Sequence, residues 1–219
     1  MRGLCSSLSS KSYSGERMIK EFNVVISGIG GQGVLTLSQV IANAAFLEGY
    51  DVMASELHGL AQRGGQTESH VRFGRKVFSP LVMSGKANLV FGLEPLEALK
   101  ACRYGSKENG TIFLIDNYPI PPSSVYVLNE KYPEQNEILK TLEKFGSKVI
   151  FVDATLETVK NFGSFLPSNI YLLSYAISKG FIPLSSKFVL KAMKTVLPEK
   201  FYELNEKVFK FVQAKSKEA

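Results

Sequence analysis

The stretch that decides the fold is NVVISGIGGQGVLTLSQVIANAAFL, residues 23–47. The segment 22–27 (FNVVIS) is a short apolar run that ends at glycine, which predicts a buried parallel strand. Val34–Leu47 carries apolar residues at helical spacing and is followed by Gly49, which favours a helix. Between them, GIGGQG at 28–33 satisfies G-x-G-x-x-G in the strand–turn–helix context that this motif requires. The stretch therefore predicts the opening of a Rossmann-like α/β fold.

The following segments extend this prediction. Asp51–Ser55 reads as a second strand that completes a βαβ unit, and Gln66–Phe73 alternates as a strand does. Gly74-Arg75 is typical of a hairpin turn, with Lys76–Ser79 returning as its partner, so an antiparallel insertion is expected. Further strands are predicted at Asn88–Leu93, Gly110–Asp116 and Lys148–Asp153, and further helices at 95–104, 133–145, 168–179, 185–197 and 198–213.

Together these elements predict a mostly parallel sheet with helices on both faces, an antiparallel insertion and a helical C-terminal region. We expect one domain over residues 20–215, preceded by a disordered, Ser-rich leader at 1–19. The uncharged run 22–47 has a glycine cluster at its centre, which argues against a membrane span. No signal-peptide core is visible, so a cytoplasmic protein is expected.

Composition excludes several kinds of site. The 219 residues contain 2 Cys and 2 His, too few for a four-thiolate zinc site or an iron–sulfur cluster held by this chain alone. The net charge of +6 suggests nucleic acid, but 1–20 contributes +3, 187–219 contributes +4, and the middle has −1. Because the excess lies at the ends and no nucleic-acid motif occurs, we expect no nucleic-acid partner.

The glycine turn is the first candidate site. Backbone N–H groups at a glycine-rich turn and a helix N-terminus favour an anion, so a nucleotide phosphate could bind there. Glu56 follows the second strand, about where a dinucleotide-binding fold places its ribose-binding acid. The alternative is that the glycines only allow close strand–helix packing. The candidate residues of the turn are Gly28, Gly30, Gly31, Gln32 and Gly33.

The loop SELHGLAQRGGQTESHVRF at 55–73 is the second candidate. Arg63 precedes two glycines and could present its guanidinium to a phosphate or carboxylate. A subunit interface and a plain surface loop are the alternatives. His70, within the predicted strand, is expected to be structural or interfacial rather than a base. The candidate residues of the loop are Glu56, His58, Gln62, Arg63 and Gly64.

These two segments carry a family resemblance. NVVISGIGGQGVLTLSQVIANAAFLEGYDV resembles the opening of the gamma subunit, or gamma domain, of 2-oxoacid:ferredoxin oxidoreductases. SELHGLAQRGGQTESHVRFG, followed by VFSPLVMSGKANLVFGLEPLEAL, resembles the branch of indolepyruvate ferredoxin oxidoreductase beta subunits. Asn169 and the stretch around Asn205 also resemble that family, and the resemblance covers roughly residues 20–212. Leu60 and Gln66-Thr67 depart from the usual pattern, which bears on substrate choice.

The resemblance implies a subunit that completes a large alpha subunit for the CoA-dependent oxidative decarboxylation of an aryl pyruvate. Thiamine diphosphate, Mg²⁺ and 4Fe-4S clusters would belong to that partner, ferredoxin would accept electrons from the complex, and this chain would firmly bind no cofactor. In isolation the chain could form a homodimer. Two alternatives stay open: a free-standing NAD(P)-binding protein, and the gamma subunit of a pyruvate or 2-oxoglutarate ferredoxin oxidoreductase.

Overall fold

The computed structural model describes residues 19–58, 64–122 and 131–218. The predicted leader lies outside the described residues apart from Ile19. The described part contains a six-stranded sheet in the order β2-β3-β1-β4-β5-β6. The strands are β1 (Glu21–Ile29), β2 (Asp51–His58), β3 (Gln66–Gly74), β4 (Leu89–Gly92), β5 (Ile112–Asp116) and β6 (Lys148–Val152). The helices described are α1 (Val34–Leu47), α2 (Pro95–Lys100), which continues as a 3₁₀ turn (Ala101–Tyr104), α3 (Gln135–Leu142), α4 (Ala154–Phe162), α5 (Ser168–Ser178), α6 (Ser186–Val196) and α7 (Glu199–Glu218).

The predicted α/β class is confirmed, with β1, β4, β5 and β6 parallel and one antiparallel strand, β3, between β1 and β2. α1 has the predicted bounds, and the three C-terminal helices lie within a few residues of their predicted positions, the last running on to Glu218. α4 is the helix that the sequence analysis missed. Among the described residues no helix is long and apolar enough to cross a bilayer.

The antiparallel insertion is paired differently from the prediction. β3 pairs with β2 on one side and with β1 on the other, and residues 76–79 form no strand. Gly74 is therefore not a hairpin turn. A Cβ atom at Gly74 would lie 2.5 Å from the Lys20 carbonyl oxygen, so glycine is required there by the close approach of the chain entering β1. The two strands of the predicted βαβ unit, β1 and β2, are parallel as expected, but they are not neighbours because β3 lies between them.

Two apolar cores cover the sheet, one on each face. The larger core packs α1 and the C-terminal helices on the face that carries Val24, Phe91 and Leu114. The smaller one packs α2 and α3 on the face that carries Val25, Phe113 and other residues of the central strands. The carboxyl ends of the parallel strands meet at one edge of the sheet, where ligands bind in open α/β folds.

A buried carboxyl group lies at that edge. Asp116 ends β5, and its two oxygens accept hydrogen bonds from the backbone N–H (3.1 Å) and the hydroxyl (2.6 Å) of Thr155 in the first turn of α4. Burial raises the pKa of Asp116 from 3.8 to about 6, although the hydrogen bonds from Thr155 oppose that shift. The folded protein therefore holds the proton of Asp116 more tightly than the unfolded chain.

This shift gives a pH prediction. The contribution of Asp116 to the free energy of unfolding is fully present below about pH 4 and is lost as the pH rises through about 6. The change amounts to about 3 kcal/mol. In Asp116→Asn this loss should be absent, since the amide oxygen can accept the N–H of Thr155, the amide nitrogen can donate to the Thr155 hydroxyl oxygen, and the side chain does not ionise. Urea unfolding of both proteins from about pH 4 to about pH 7 measures the difference. Parallel pH profiles would contradict the prediction.

Candidate functional site: the glycine turn and the end of the β2–β3 hairpin

The glycine turn begins at Gly30, two residues after the G-x-G-x-x-G motif begins. β1 continues through Ile29, so Gly28 is a buried strand residue, and the turn proper is formed by residues 30–33. Gly31 and Gly33 have φ angles of 107° and 78°, in the left-handed region that favours glycine. Gly33 caps α1, and its carbonyl accepts the N–H of Leu37 at 2.9 Å. The turn therefore uses its glycines to reverse the chain directly into the helix.

The side chain of Gln32 fills the crevice between β1 and β4. Its Oε1 accepts the backbone N–H of Ile29 at 2.7 Å, and its Nε2 donates to the carbonyl oxygen of Leu93 at 2.8 Å. A Cβ atom at Gly28 would lie 3.0 Å from Gln32 Oε1. The crevice is the point where the strand order reverses, which is the usual ligand site in this architecture. In this chain, that place holds a protein amide.

The two candidate segments meet at the turn. Gly30 donates its N–H to the carbonyl oxygen of Gly65 at 2.8 Å, and Gly64 donates to the carbonyl oxygen of Gly30 at 3.3 Å. These bonds continue the β1–β3 ladder, which ends with Ile29 opposite Gln66. Gly30 and Gly64, selected from separate motifs, therefore form one backbone unit. Gln62 and Arg63 lie outside the described residues.

Glu56 does not lie beside the turn. It is opposite Ser69 in β3, which is itself opposite Ile26 in β1, so one whole strand separates Glu56 from β1. Two strand spacings amount to about 9.6 Å. His58 is likewise opposite Thr67 at the end of β2. In a dinucleotide-binding fold the second strand pairs directly with the first, so the arrangement removes the geometry that Glu56 was expected to supply.

The N-terminus of α1 opens onto a cavity of about 410 Å³. The first helical N–H groups have no side-chain cap, and the first turn of α1 contains no acidic residue, so its positive end is not neutralised from within. The hydroxyl-bearing residues Thr36 and Thr67 lie in the cavity wall. The complete lining consists of Ile29, Gly30, Gly31, Gly33, Val34, Leu35, Thr36 and Thr67. These groups are suited to a phosphate or a carboxylate.

A second cavity, of about 250 Å³, lies on the other side of the turn. Its polar wall is formed by Gln32, Asn169 and Asn205, and its apolar wall by residues of α7 and the segments before α5 and α7: Leu166, Leu197, Pro198, Phe201 and Leu204. Asn169 Nδ2 donates to the carbonyl oxygen of Gly33 at 3.1 Å, and its Oδ1 accepts the N–H of Ile170 at 2.7 Å. Asn169 thereby ties α5 to the turn. The glycine motif by itself did not point to these polar residues. The family resemblance pointed to Asn169 and Asn205, and nothing in the sequence pointed to Thr36 or Thr67.

His70 has a structural role, as expected. Its Nδ1 accepts the N–H of Val82 at 2.9 Å, and its Nε2 lies 3.0 Å from Glu68 Oε1. Tyr104 also donates to Glu68 Oε1, at 2.8 Å. Burial raises the pKa of Glu68, but the hydrogen bonds of His70 and Tyr104, together with the charges of His70 and Arg103, outweigh that effect and hold the pKa below its usual value. This buried network lies on the α2 face of the sheet and anchors the segment after β3.

The side chains of the described residues do not form a group suited to an iron–sulfur cluster or a metal ion. Within 19–58, 64–122 and 131–218 no three His, Cys, Asp or Glu residues are grouped so that they could hold a metal ion. Cys102 is a free, partly buried thiol in the 3₁₀ turn, and burial raises its pKa. A high thiol pKa disfavours the thiolate that clusters require.

The contact between Gly33 and Asn169 gives a stability prediction. A Cβ atom at Gly33 would lie 2.4 Å from Asn169 Nδ2, whereas a Cβ atom at Gly31 would meet no atom within 4 Å. Both positions have positive φ, so Gly31→Ala is the matched control for backbone strain. We expect Gly33→Ala to lower the free energy of unfolding by about 2 kcal/mol more than Gly31→Ala.

Urea unfolding of the two variants tests this difference, and Asn169→Ala adds an independent arm. Asn169→Ala should lower the free energy of unfolding by less in the Gly33→Ala background than in the wild type, because it also removes the clash between the new Cβ atom and the Asn169 amide. Equal losses for the two glycine variants, or additive effects of Gly33→Ala and Asn169→Ala, would contradict the assignment.

The comparisons with known proteins agree with this geometry. The family model described as pyruvate ferredoxin/flavodoxin oxidoreductase matches residues 23–212. The chain is 38% identical over 188 residues to indolepyruvate oxidoreductase subunit IorB of Archaeoglobus fulgidus, covering 86% of this chain and 92% of the relative. It is 35% identical over 192 residues to the IorB subunit of Pyrococcus horikoshii, covering 87% and 94%.

A solved structure supports the fold. The gamma subunit of a keto/oxoacid ferredoxin oxidoreductase from Geobacter sulfurreducens aligns with a TM-score of 0.62 and 21% identity, covering 90% of this chain and 99% of that one. The matched family segment contains both the glycine turn and the hairpin that meets it. The chain therefore belongs to the pyruvate ferredoxin/flavodoxin oxidoreductase family.

Proposed function

We propose that the chain is the small, non-catalytic subunit of an indolepyruvate-type 2-oxoacid:ferredoxin oxidoreductase, completing a large partner subunit. The observation that carries the proposal is that the hydrogen bonds of Gly30 join the glycine turn to Gly64 and Gly65, the two glycines of the second candidate segment. Homologues that share 35–38% identity over most of the chain are named as IorB subunits. The partner would supply the cofactors, and ferredoxin would accept electrons from the assembled complex.

The donor set of this chain supports that division of labour. Thiamine diphosphate stabilises the carbanion formed on decarboxylation, and iron–sulfur clusters carry single electrons. The sequence has 2 Cys, one of them the thiol of Cys102 with its raised pKa. The chain's contribution is therefore to bind the partner and to shape a channel.

The glycine turn is suited to an anionic part of a molecule that the complex handles. The uncapped N-terminus of α1, with Thr36 and Thr67, offers hydrogen-bond donors without a competing carboxylate. In the sequence Arg63 immediately precedes Gly64, and the backbone of Gly64 is hydrogen-bonded to the turn. We assign to these groups the coenzyme A or 2-oxoacid channel of the complex.

A free-standing NAD(P)-binding function is the second candidate, because the motif spacing favours it. Two observations oppose it: Gln32 occupies the crevice between β1 and β4, and β3 separates Glu56 from β1. Calorimetry of the full chain with NADH, NADPH and FAD distinguishes the candidates. Micromolar binding of a dinucleotide would favour the second candidate over the first.

Reconstitution with the large subunit tests the proposal. The chain should co-purify with a thiamine-diphosphate and iron–sulfur subunit from the same genome, preferably from a neighbouring gene. The chain alone should be inactive, and indolepyruvate-dependent ferredoxin reduction should require both. If no complex forms and decarboxylation by the large subunit does not change when the chain is added, the proposal is wrong.

Arg63 provides a sharper test within that complex. Arg63→Ala should raise the KM for coenzyme A by about tenfold, equivalent to one charge-assisted contact of about 1.4 kcal/mol. Arg75→Ala is the matched control, since Arg75 is an exposed arginine beyond the opposite end of β3. An unchanged KM in Arg63→Ala would rule out the proposed contact between Arg63 and coenzyme A, but it would not affect the assignment of the chain as a subunit.

A further inference from the structure

The outer strand of the sheet, β2, carries large apolar side chains that stay exposed on one face, as far as residues 19–58, 64–122 and 131–218 show. α1 packs against β2 on one face only. On the other face, Met53 and Leu57 are 37% and 43% exposed, although their neighbours in β3, Arg72 and Glu68, are mostly buried. Among the described helices of that face, α2 packs against β1, β4 and β5. An apolar strip thus follows the edge of the sheet.

The segment after β3 widens this strip. Arg72 Nη1 donates to the carbonyl oxygens of Ser79 and Leu81 at 2.8 and 3.2 Å, and Val82 is held by His70. These bonds fix the segment over β3 and leave Leu81 46% and Met83 73% exposed. We call Met53, Leu57, Leu81 and Met83 the edge patch. Because its backbone is anchored at several points, the patch is a preformed surface.

The edge of β2 has only part of the usual protection against pairing. Its sequence, DVMASELH, carries two exposed carboxylates, Asp51 and Glu56, but no Pro or Lys. Its ladder with β3 runs without a bulge from Asp51 opposite Gly74 to His58 opposite Thr67. Proteins that remain monomeric usually blunt an edge strand by such devices. An eight-residue, regular edge next to an apolar patch is the geometry that accepts another strand.

Met53 and Leu57 lie two residues on either side of Ser55 and on the same face of β2, so a two-fold axis at Ser55 would place these apolar side chains opposite each other. We propose that two copies of this chain associate through antiparallel pairing of their β2 strands about a two-fold axis at Ser55, which joins the two sheets into one. In this register Met53 lies opposite Leu57 of the second copy, on the face of the edge patch, and Ala54 lies opposite Glu56. Directly opposite apolar side chains stabilise a strand pair.

The apolar side chains select this register. Centring the axis on Ala54 would place Asp51 opposite Leu57 and Met53 opposite Ser55, so neither apolar side chain would face another. Centring it on Ser55 places no two like charges opposite each other along β2. A two-fold interface is self-complementary by construction, so the patch of one copy extends that of the other.

The dimer leaves both glycine turns accessible. β2 is parallel to β1, so the turn lies toward the His58 end of the edge strand. Antiparallel pairing places the two turns at opposite ends of the joined sheet. The inference does not depend on the proposed function, since the isolated chain would form the same pair.

Light scattering of the full-length chain tests the pair. At about 100 µM the mass should be near twice 24.2 kDa, and it should fall toward 24.2 kDa on dilution, as expected for a dimer governed by mass action. The Met53→Lys and Leu57→Lys variants should remain monomers, because dimerisation would bury the new lysine charge against an apolar side chain of the second copy. Leu156→Lys in α4, where the side chain is 51% exposed, is the matched control and should dimerise. A monomeric wild type, or dimeric Lys variants of β2, would overturn the proposal.

Cross-linking tests the register. In a background with Cys5→Ser and Cys102→Ser, Ser55→Cys should form a disulfide dimer on mild oxidation, since opposite Cβ atoms lie about 4.5–5.5 Å apart. Met53→Cys alone should not, whereas Met53→Cys mixed with Leu57→Cys should. Cross-linking of Met53→Cys with itself, together with no reaction of Ser55→Cys, would contradict the assigned axis.

Discussion

The antiparallel pairing of β3 with both β1 and β2 is the interaction on which the rest of the structure depends. Nine residues of β3 lie opposite nine of β1, from Glu21–Gly74 to Ile29–Gln66. This register delivers Gly64 and Gly65 to Gly30 and continues the ladder into the turn. A one-residue slip would turn every side chain of β3 to the other face, which would expose Phe73 and bury Arg72 among apolar groups.

The same pairing changes what the glycine motif can do. In a dinucleotide-binding fold, the first two strands are neighbours and the crevice beside the first is open. Here β3 occupies the neighbouring place, and Gln32 bridges Ile29 and Leu93 across the crevice. The anion-binding capacity of the α1 N-terminus persists, because it arises from the helix backbone. The motif therefore retains its electrostatics and loses its dinucleotide geometry.

On the face of the sheet that packs against α2, a network of buried polar side chains stabilises the structure. Glu68 accepts bonds from His70 and Tyr104, and His70 in turn holds the backbone of Val82. Such charge-assisted bonds are strong in a poorly hydrated interior. They fix the segment after β3 against the sheet and so determine the shape of the surface beside β2. The backbone at the start of β3 thus organises the glycine turn, and one face of the same strand organises the edge patch.

Local patterns were sufficient for most elements. The apolar run before Gly28, the helical spacing from Val34 to Leu47 and the helices after Pro167 were all predictable, because strand and helix periods are properties of short segments. α4 was missed although local signals flank it, with Asp153 at its N-cap and Gly163, which has a φ of 69°, at its C-cap. Only the structure shows that Thr155 in its first turn is bonded to Asp116, 39 residues away.

The partners of β3 could not be predicted, because alternation specifies a strand but not its neighbours. Gly74 looked like a turn residue, and only the approach of Lys20 explains it. The sequence by itself determined the fold class, the glycine turn, the family resemblance and the shortage of metal-binding groups, which are local or compositional. The tertiary structure alone decided that Gly30 meets Gly64, that Glu56 lies a strand away, and that Asn169 contacts the turn from 136 residues beyond Gly33. The first two depend on long-range strand pairing and the third on the packing of α5 against the turn, and no local pattern encodes either.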